Sequence, residues 1–137
     1  MQKEICEVID MKLYYKIKNY WNDFRTRCER FKRGYAYIDV WDMDCWFVHT
    51  VKPMLMHLRD HGIGYPSEFK SRIYWENILT EMISCLDLMN EDVARADLCI
   101  SSNDYSHKSY QKVNEFIEAN KNRFFELFSK YFFSLWD

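Results

Sequence analysis

The chain has 137 residues, of which 48% are hydrophobic and 18% aromatic, and a formal net charge of −2. It is too apolar for a disordered chain and lacks the cationic excess that drives non-specific nucleic-acid binding. With only 3 glycines and 2 prolines turns are scarce, which excludes a many-stranded sandwich or barrel and leaves a few long helices.

The first ten residues carry Glu4, Glu7 and Asp10 and no apolar core segment, unlike a signal peptide. From Lys3 to Lys32, Cys6, Ile9, Leu13, Ile17, Tyr20, Trp21, Phe24, Cys28 and Phe31 recur every three or four positions. That spacing predicts one long amphipathic helix. Its last turns hold Arg25, Arg27, Arg30, Lys32 and Arg33 against Glu29, and Gly34 supplies a stop. Cations there suit the negative end of the helix dipole; the other reading is an anion-binding edge.

Residues 34–40 make a short connection. A second helix is expected from near Trp41 to just before Gly62, with Asp39 or Asp42 as N-cap and Asp44 in the first turn. Pro53 falls inside it, removes one backbone hydrogen bond, and is expected to kink or break it. The segment His61-Gly62-Ile63-Gly64-Tyr65-Pro66-Ser67 is the strongest turn signal in the chain. A third helix is predicted from about Ser71 to Asn90 on a stripe of Ile73 or Trp75, Ile78, Leu79, Met82, Ile83, Leu86 and Met89. Residues 91–107 are polar, with a short helical turn around Val93 to Ile100 and then a loop.

The last helix is expected from about Ser106 to Trp136, with Tyr110, Val113, Ile117, Phe124, Leu127, Phe128, Tyr131 and Leu135 in register. Phe125, Phe132, Phe133 and Trp136 fall off that stripe. Its last turns are therefore apolar nearly all round, as in a central helix or half of a subunit interface, and self-association into a homo-oligomer is expected. The sum is a compact all-α bundle of about four long helices, the second kinked at Pro53, in one domain over residues 1–137. No apolar run approaches the ~18 residues of a membrane span. Five scattered cysteines without a C-x-x-C pair point to buried, reduced thiols in a cytoplasm.

One face of the second helix stands out. Projected at about 100° per residue, Met43, Phe47, Val51, Met54 and Leu58 form a core stripe. The opposite side carries Asp42, Trp46, His49, Pro53, Met56, His57 and Asp60, flanked by Cys45, Lys52 and Arg59. Such a face either packs as ordinary structure or lines a pocket. In a pocket, Trp46 with Trp41, Tyr65 or Trp75 could stack on a planar base. Lys52 and Arg59, two turns apart, could meet phosphates. His49, His57 and Asp44 could orient the ligand, and the 62–66 turn could close the mouth.

Other chemistry is weaker. His57 and His61 have the spacing of paired zinc ligands, but no third ligand is evident and no metal is expected. Asp39, Asp42 and Asp44 could suggest a divalent ion, but helix capping explains two of them more simply. There is no G-x-S-x-G, no activated cysteine context, no P-loop and no G-x-G-x-x-G, so neither an enzyme nor a cofactor is expected.

Asp39-x-Trp41-x-x-Asp44-x-Trp46, Val51-Lys52-Pro53-x-Leu55-x-x-Leu58, Gly62-x-Gly64-Tyr65-Pro66 and Trp75-x-x-Ile78-Leu79-x-x-Met82-Ile83 occur in that order. With the ending Leu127-Phe128-x-Lys130-Tyr131-Phe132-x-x-Leu135-Trp136-Asp137, this pattern resembles a widespread family of small proteins encoded by bacteriophages and prophages. The resemblance covers roughly Ile38 to Met82 and the last fifteen or so residues; the first helix is less typical. The family has no assigned activity. The resemblance implies an accessory protein in the cytoplasm of an infected bacterium, where small phage proteins often counter host defence. Some do so as oligomeric sponges for a nucleotide-derived immune signal.

The leading expectation is thus a non-enzymatic homo-oligomer that sequesters a cyclic ADP-ribose-like or cyclic dinucleotide signal without cleaving it. Its site would comprise Trp41, Asp44, Trp46, His49, Lys52, His57, Arg59 and Tyr65. The alternative is a protein that inhibits a host defence enzyme through its aromatic C-terminal helix. A nucleic-acid binder using residues 25–33 is disfavoured by the slight acidity of the chain.

Overall fold

A computed structural model describes residues 2–136, with side chains described from Leu13 onward. All regular structure in the described residues is helical. It comprises α1 (Gln2–Arg33), a 3₁₀ turn (Tyr37–Val40), α2 (Met43–His61), α3 (Arg72–Leu88), α4 (Glu91–Asp97), α5 (His107–Tyr131) and a final 3₁₀ turn (Phe132–Ser134). The chain divides into two compact units, Met1–Phe47 and Val48–Asp137.

In the first unit, α1 ends where expected. Gly34 takes a positive φ of 79° and donates its N–H to the Arg30 carbonyl at 2.8 Å, the left-handed cap that glycine adopts without steric cost. The basic end of the helix is tied down locally. Glu29 accepts from Arg25 at 3.1 Å and pairs with Arg33 at 3.1 Å. Arg30 donates twice to Asp39, at 3.0 and 2.5 Å. Asp39 also accepts from the Ala36 N–H at 2.7 Å, so it caps the 3₁₀ turn and not α2. The second helix accordingly starts two residues later than Trp41. Of the predicted stripe, Leu13, Ile17, Tyr20, Trp21, Phe24 and Phe31 are all exposed.

In the second unit, the core lies between α3 and α5, with α4 packed against both. Trp75, Leu79, Met82, Ile83, Cys85 and Leu86 are buried on α3, and Val113, Phe124, Leu127 and Tyr131 on α5. Trp75, not Ile73, is therefore the inward residue at the start of α3. It joins Phe69 and Tyr131 in an aromatic cluster, with centroids 5.5 Å apart for Trp75–Tyr131 and 5.6 Å for Phe69–Tyr131. Offset and edge-on contacts of this kind add stabilisation beyond the area they bury. At the rim, Arg123 bridges Glu81 of α3 at 2.6 Å and Glu126 at 3.0 Å.

The described residues form five α-helices rather than about four. The addition, α4, stands where the polar segment was expected to hold only a short helical turn around Val93 to Ile100. Asn90 caps it, accepting from the N–H groups of Asp92 at 2.9 Å and Val93 at 3.2 Å, and Glu91 and Asp92 occupy its first turn. Cys99 ends it in the left-handed region at φ 54°, with the Ile100 N–H returning to the Arg95 carbonyl at 2.9 Å. Arg95 is buried but satisfied, by Glu91 at 2.9 Å and the Asp104 carbonyl at 3.1 Å.

Four further expectations change. α2 continues through Pro53 as one helix, so of the kink or break expected there the break does not occur. Its buried residue is Leu55, while Met43 and Met54 are exposed. α5 stops at Tyr131 and tightens into the 3₁₀ turn, five residues short of Trp136. Of the described cysteines only Cys85 is buried; Cys45 and Cys99 are exposed and Cys28 is half-buried. Cys6 lies outside the described side chains. No helix among the described residues is long and apolar enough to cross a membrane.

Candidate functional site

The eight expected site residues fall in both units. In the first, Trp41 closes the 3₁₀ turn through its N–H to the Ile38 carbonyl at 3.1 Å, and its side chain is exposed. Asp44 is exposed in the first turn of α2. Trp46 is half-buried and borders a hollow of about 290 Å³ with Tyr35, Asp39, Val40 and Met43. The one charged group in that hollow is committed: Arg30, and then the Ala36 amide, hold Asp39 down at about 2. A carboxylate so engaged repels a phosphate and has little left to offer a ribose.

In the second unit the two expected phosphate ligands are occupied. Lys52 of α2 donates to Asp87 of α3. Arg59 donates to both carboxylate oxygens of Asp60, at 2.7 and 3.3 Å, and each partner shifts the other toward its charged form. The Arg59 carbonyl also accepts from Arg72 at 3.4 Å. These pairs are partly exposed and individually worth little, but a phosphate would have to displace a carboxylate at each cation. His49 is exposed. His57 stacks edge-on with His61, centroids 4.7 Å apart. Among the described residues no group of three or more His, Cys, Asp or Glu side chains is arranged to hold a metal ion.

Two concavities of this unit touch expected residues. The larger, about 610 Å³, runs between α2 and the end of the chain. Val51, Met54, Leu55 and Leu58 form one wall, and Phe128, Phe132, Leu135 and Trp136 the other, with His57 contributing the polar edge. The second, about 470 Å³, holds Tyr65, Ser67, Glu68, Lys130, Ser134 and Trp136; Lys130 also lies over the Tyr131 ring at 4.9 Å. His57 thus borders the first and Tyr65 the second, with neither Lys52 nor Arg59 on either lining.

No family model, no curated protein and no solved structure matches this chain. Its chemistry has to be read from its own residues. The apolar groove was only half legible in the sequence. Val51, Met54 and Leu58 were read as core, and Phe132 and Trp136 as surplus aromatics. Phe132, Leu135 and Trp136 reach that wall in the stretch where the chain leaves α5 after Tyr131. No local pattern announces that ending.

Proposed function

We propose that this protein acts by binding, without catalysis, and that its contact surface is the apolar groove between α2 and the aromatic end of the chain. The occupant is an amphipathic helix of a partner protein, laid with its apolar side on Met54, Leu58 and Phe132. In the setting that the family resemblance implies, that partner is a host defence protein. One observation carries the reading: a groove of about 610 Å³ walled by α2 on one side and by the aromatic end of the chain on the other, with a single polar edge. Helix-in-groove recognition uses such surfaces, and Phe132 and Trp136 on its lining are exposed, of the residue types that dominate interface energetics. A bend at Pro53, which a proline inside a helix calls for, would widen the α2 wall.

The test is isolation of a stoichiometric complex from the bacterial host, followed by reconstitution with the purified partner. Met54→Lys with Phe132→Lys should abolish the complex, and Lys52→Ala should leave it intact. A complex indifferent to the paired lysines, or lost with Lys52→Ala, would overturn the assignment.

A second reading keeps a small nucleotide ligand, and one feature favours it. The concavity of about 470 Å³ brings Tyr65 and Trp136 together with Lys130, two rings and a cation of the kind a phosphorylated base requires. Calorimetric titration with cyclic dinucleotides and ADP-ribose derivatives decides it. Binding tighter than about 10 μM that is lost in Lys130→Ala would move the function to this hollow.

A further inference from the structure

The end of α5 is assigned above to a partner protein, and a second apolar surface is left without one. At about 1.5 Å per residue, the 32 residues of α1 extend close to 50 Å. Among the described residues, α1 meets within its own unit only the 3₁₀ turn at its C-terminal end. Yet Leu13, Ile17, Tyr20, Trp21, Phe24 and Phe31 are between 51% and 92% exposed. An isolated helix is marginal in water, and most helices draw their stability from packing an apolar face.

The spacing of that stripe identifies what covers it. Leu13, Ile17, Tyr20, Phe24, Arg27 and Phe31 follow one another at steps of four, three, four, three and four. That is the 3.5-residue period at which two helices wind around each other with their seams in contact. With aromatic side chains burying roughly 150–250 Å² each, covering the six exposed residues withdraws about 700 Å² per helix. A stable two-protein interface removes about 600–1,000 Å² per partner, so a second α1 is a sufficient occupant.

Charge then sets the direction. The start of α1 carries Glu4, Glu7 and Asp10, and its end Arg25, Arg27, Arg30, Lys32 and Arg33. Parallel pairing would set acid against acid and base against base. Antiparallel pairing sets each acidic start against a basic end. One register also explains the residue that interrupts the stripe. Aligned with ends nearly flush, Ile17 falls opposite Tyr20 of the second copy and Phe24 opposite Leu13. Arg27 then falls opposite position 10, which the sequence fills with an acid, Asp10.

We infer that α1 pairs with α1 of a second copy as an antiparallel coiled coil, in the register that sets Arg27 against Asp10. This goes beyond the groove assignment and does not depend on it. The experiment is sedimentation equilibrium on the full chain over a concentration series. The wild type should dimerise, and Ile17→Glu with Phe24→Glu should raise the dissociation constant by at least about 100-fold. Arg27→Asp alone and Asp10→Lys alone should each weaken the dimer by about tenfold or more. The double exchange, Arg27→Asp with Asp10→Lys, should return it to within about threefold of the wild type. That recovery also distinguishes a lost pair from a misfolded helix. A monomeric wild type at about 100 μM, or a double exchange no tighter than the single ones, would overturn the inference. Parallel pairing would too, and it would show as an Asp10→Lys dimer as tight as the wild type.

Discussion

Two side chains carry most of what can be decided at the residue scale. Phe124 has no exposed surface and stacks on Phe128 at 5.3 Å, in the middle of the α3–α5 contact. Phe124→Ala leaves a ring-sized cavity and should cost about 3–5 kcal/mol in denaturant unfolding of the second unit. Asp39 is a different kind of residue. Its pKa drops from an ordinary 3.8 to about 2 because it accepts from Arg30 and from the Ala36 amide. The folded value lies below the unfolded one, so the contribution is complete above about pH 4 and vanishes as pH falls toward 2. The 3₁₀ turn should therefore lose amide protection in that window, measured by hydrogen exchange, and Asp39→Asn should remove the pH dependence. Protection of the Ala36 amide that stays flat from neutral pH to pH 2 would refute this.

The elements divide by how their ends are made. α4 has only seven residues and owes its existence to its cap and to the burial of Ala94 and Arg95. Asn90→Ala withdraws the acceptor for two N–H groups and should destabilise the second unit by about 1 kcal/mol, with loss of helical signal confined to residues 91–97. The start and stop of α1 were legible because the period is long and Gly34 is a strong signal. The start of α2 was not, because three aspartates stand near it and only the position of Arg30 decides which of them caps what. α5 read as continuous to Trp136 because aromatic residues continue past Tyr131. Its actual end at Tyr131 comes from the chain tightening, which leaves Phe133 almost fully exposed.

For the whole molecule, thiol reactivity reports how the units hold together internally. Cys85 is buried in the second-unit core and burial pushes its thiol up, whereas Cys45 and Cys99 are exposed. Alkylation of the native protein should modify Cys45 and Cys99 first, and Cys85 only at the rate of unfolding of its core. Mass spectrometry that finds Cys85 labelled alongside Cys99 would refute that core.

The sequence by itself determined that the chain is helical, where its long helices run, and which faces are apolar, because those properties follow from period and composition within one segment. It also exposed the charge asymmetry of α1. Tertiary structure decided which apolar residues become core and which become surface. Leu55 is buried while Met54 is exposed, and Lys52 and Arg59 are engaged by Asp87 and Asp60. The physical reason is that a helical period specifies a face but not its partner. A partner is chosen by which other faces, caps and charges arrive opposite it once the chain has folded.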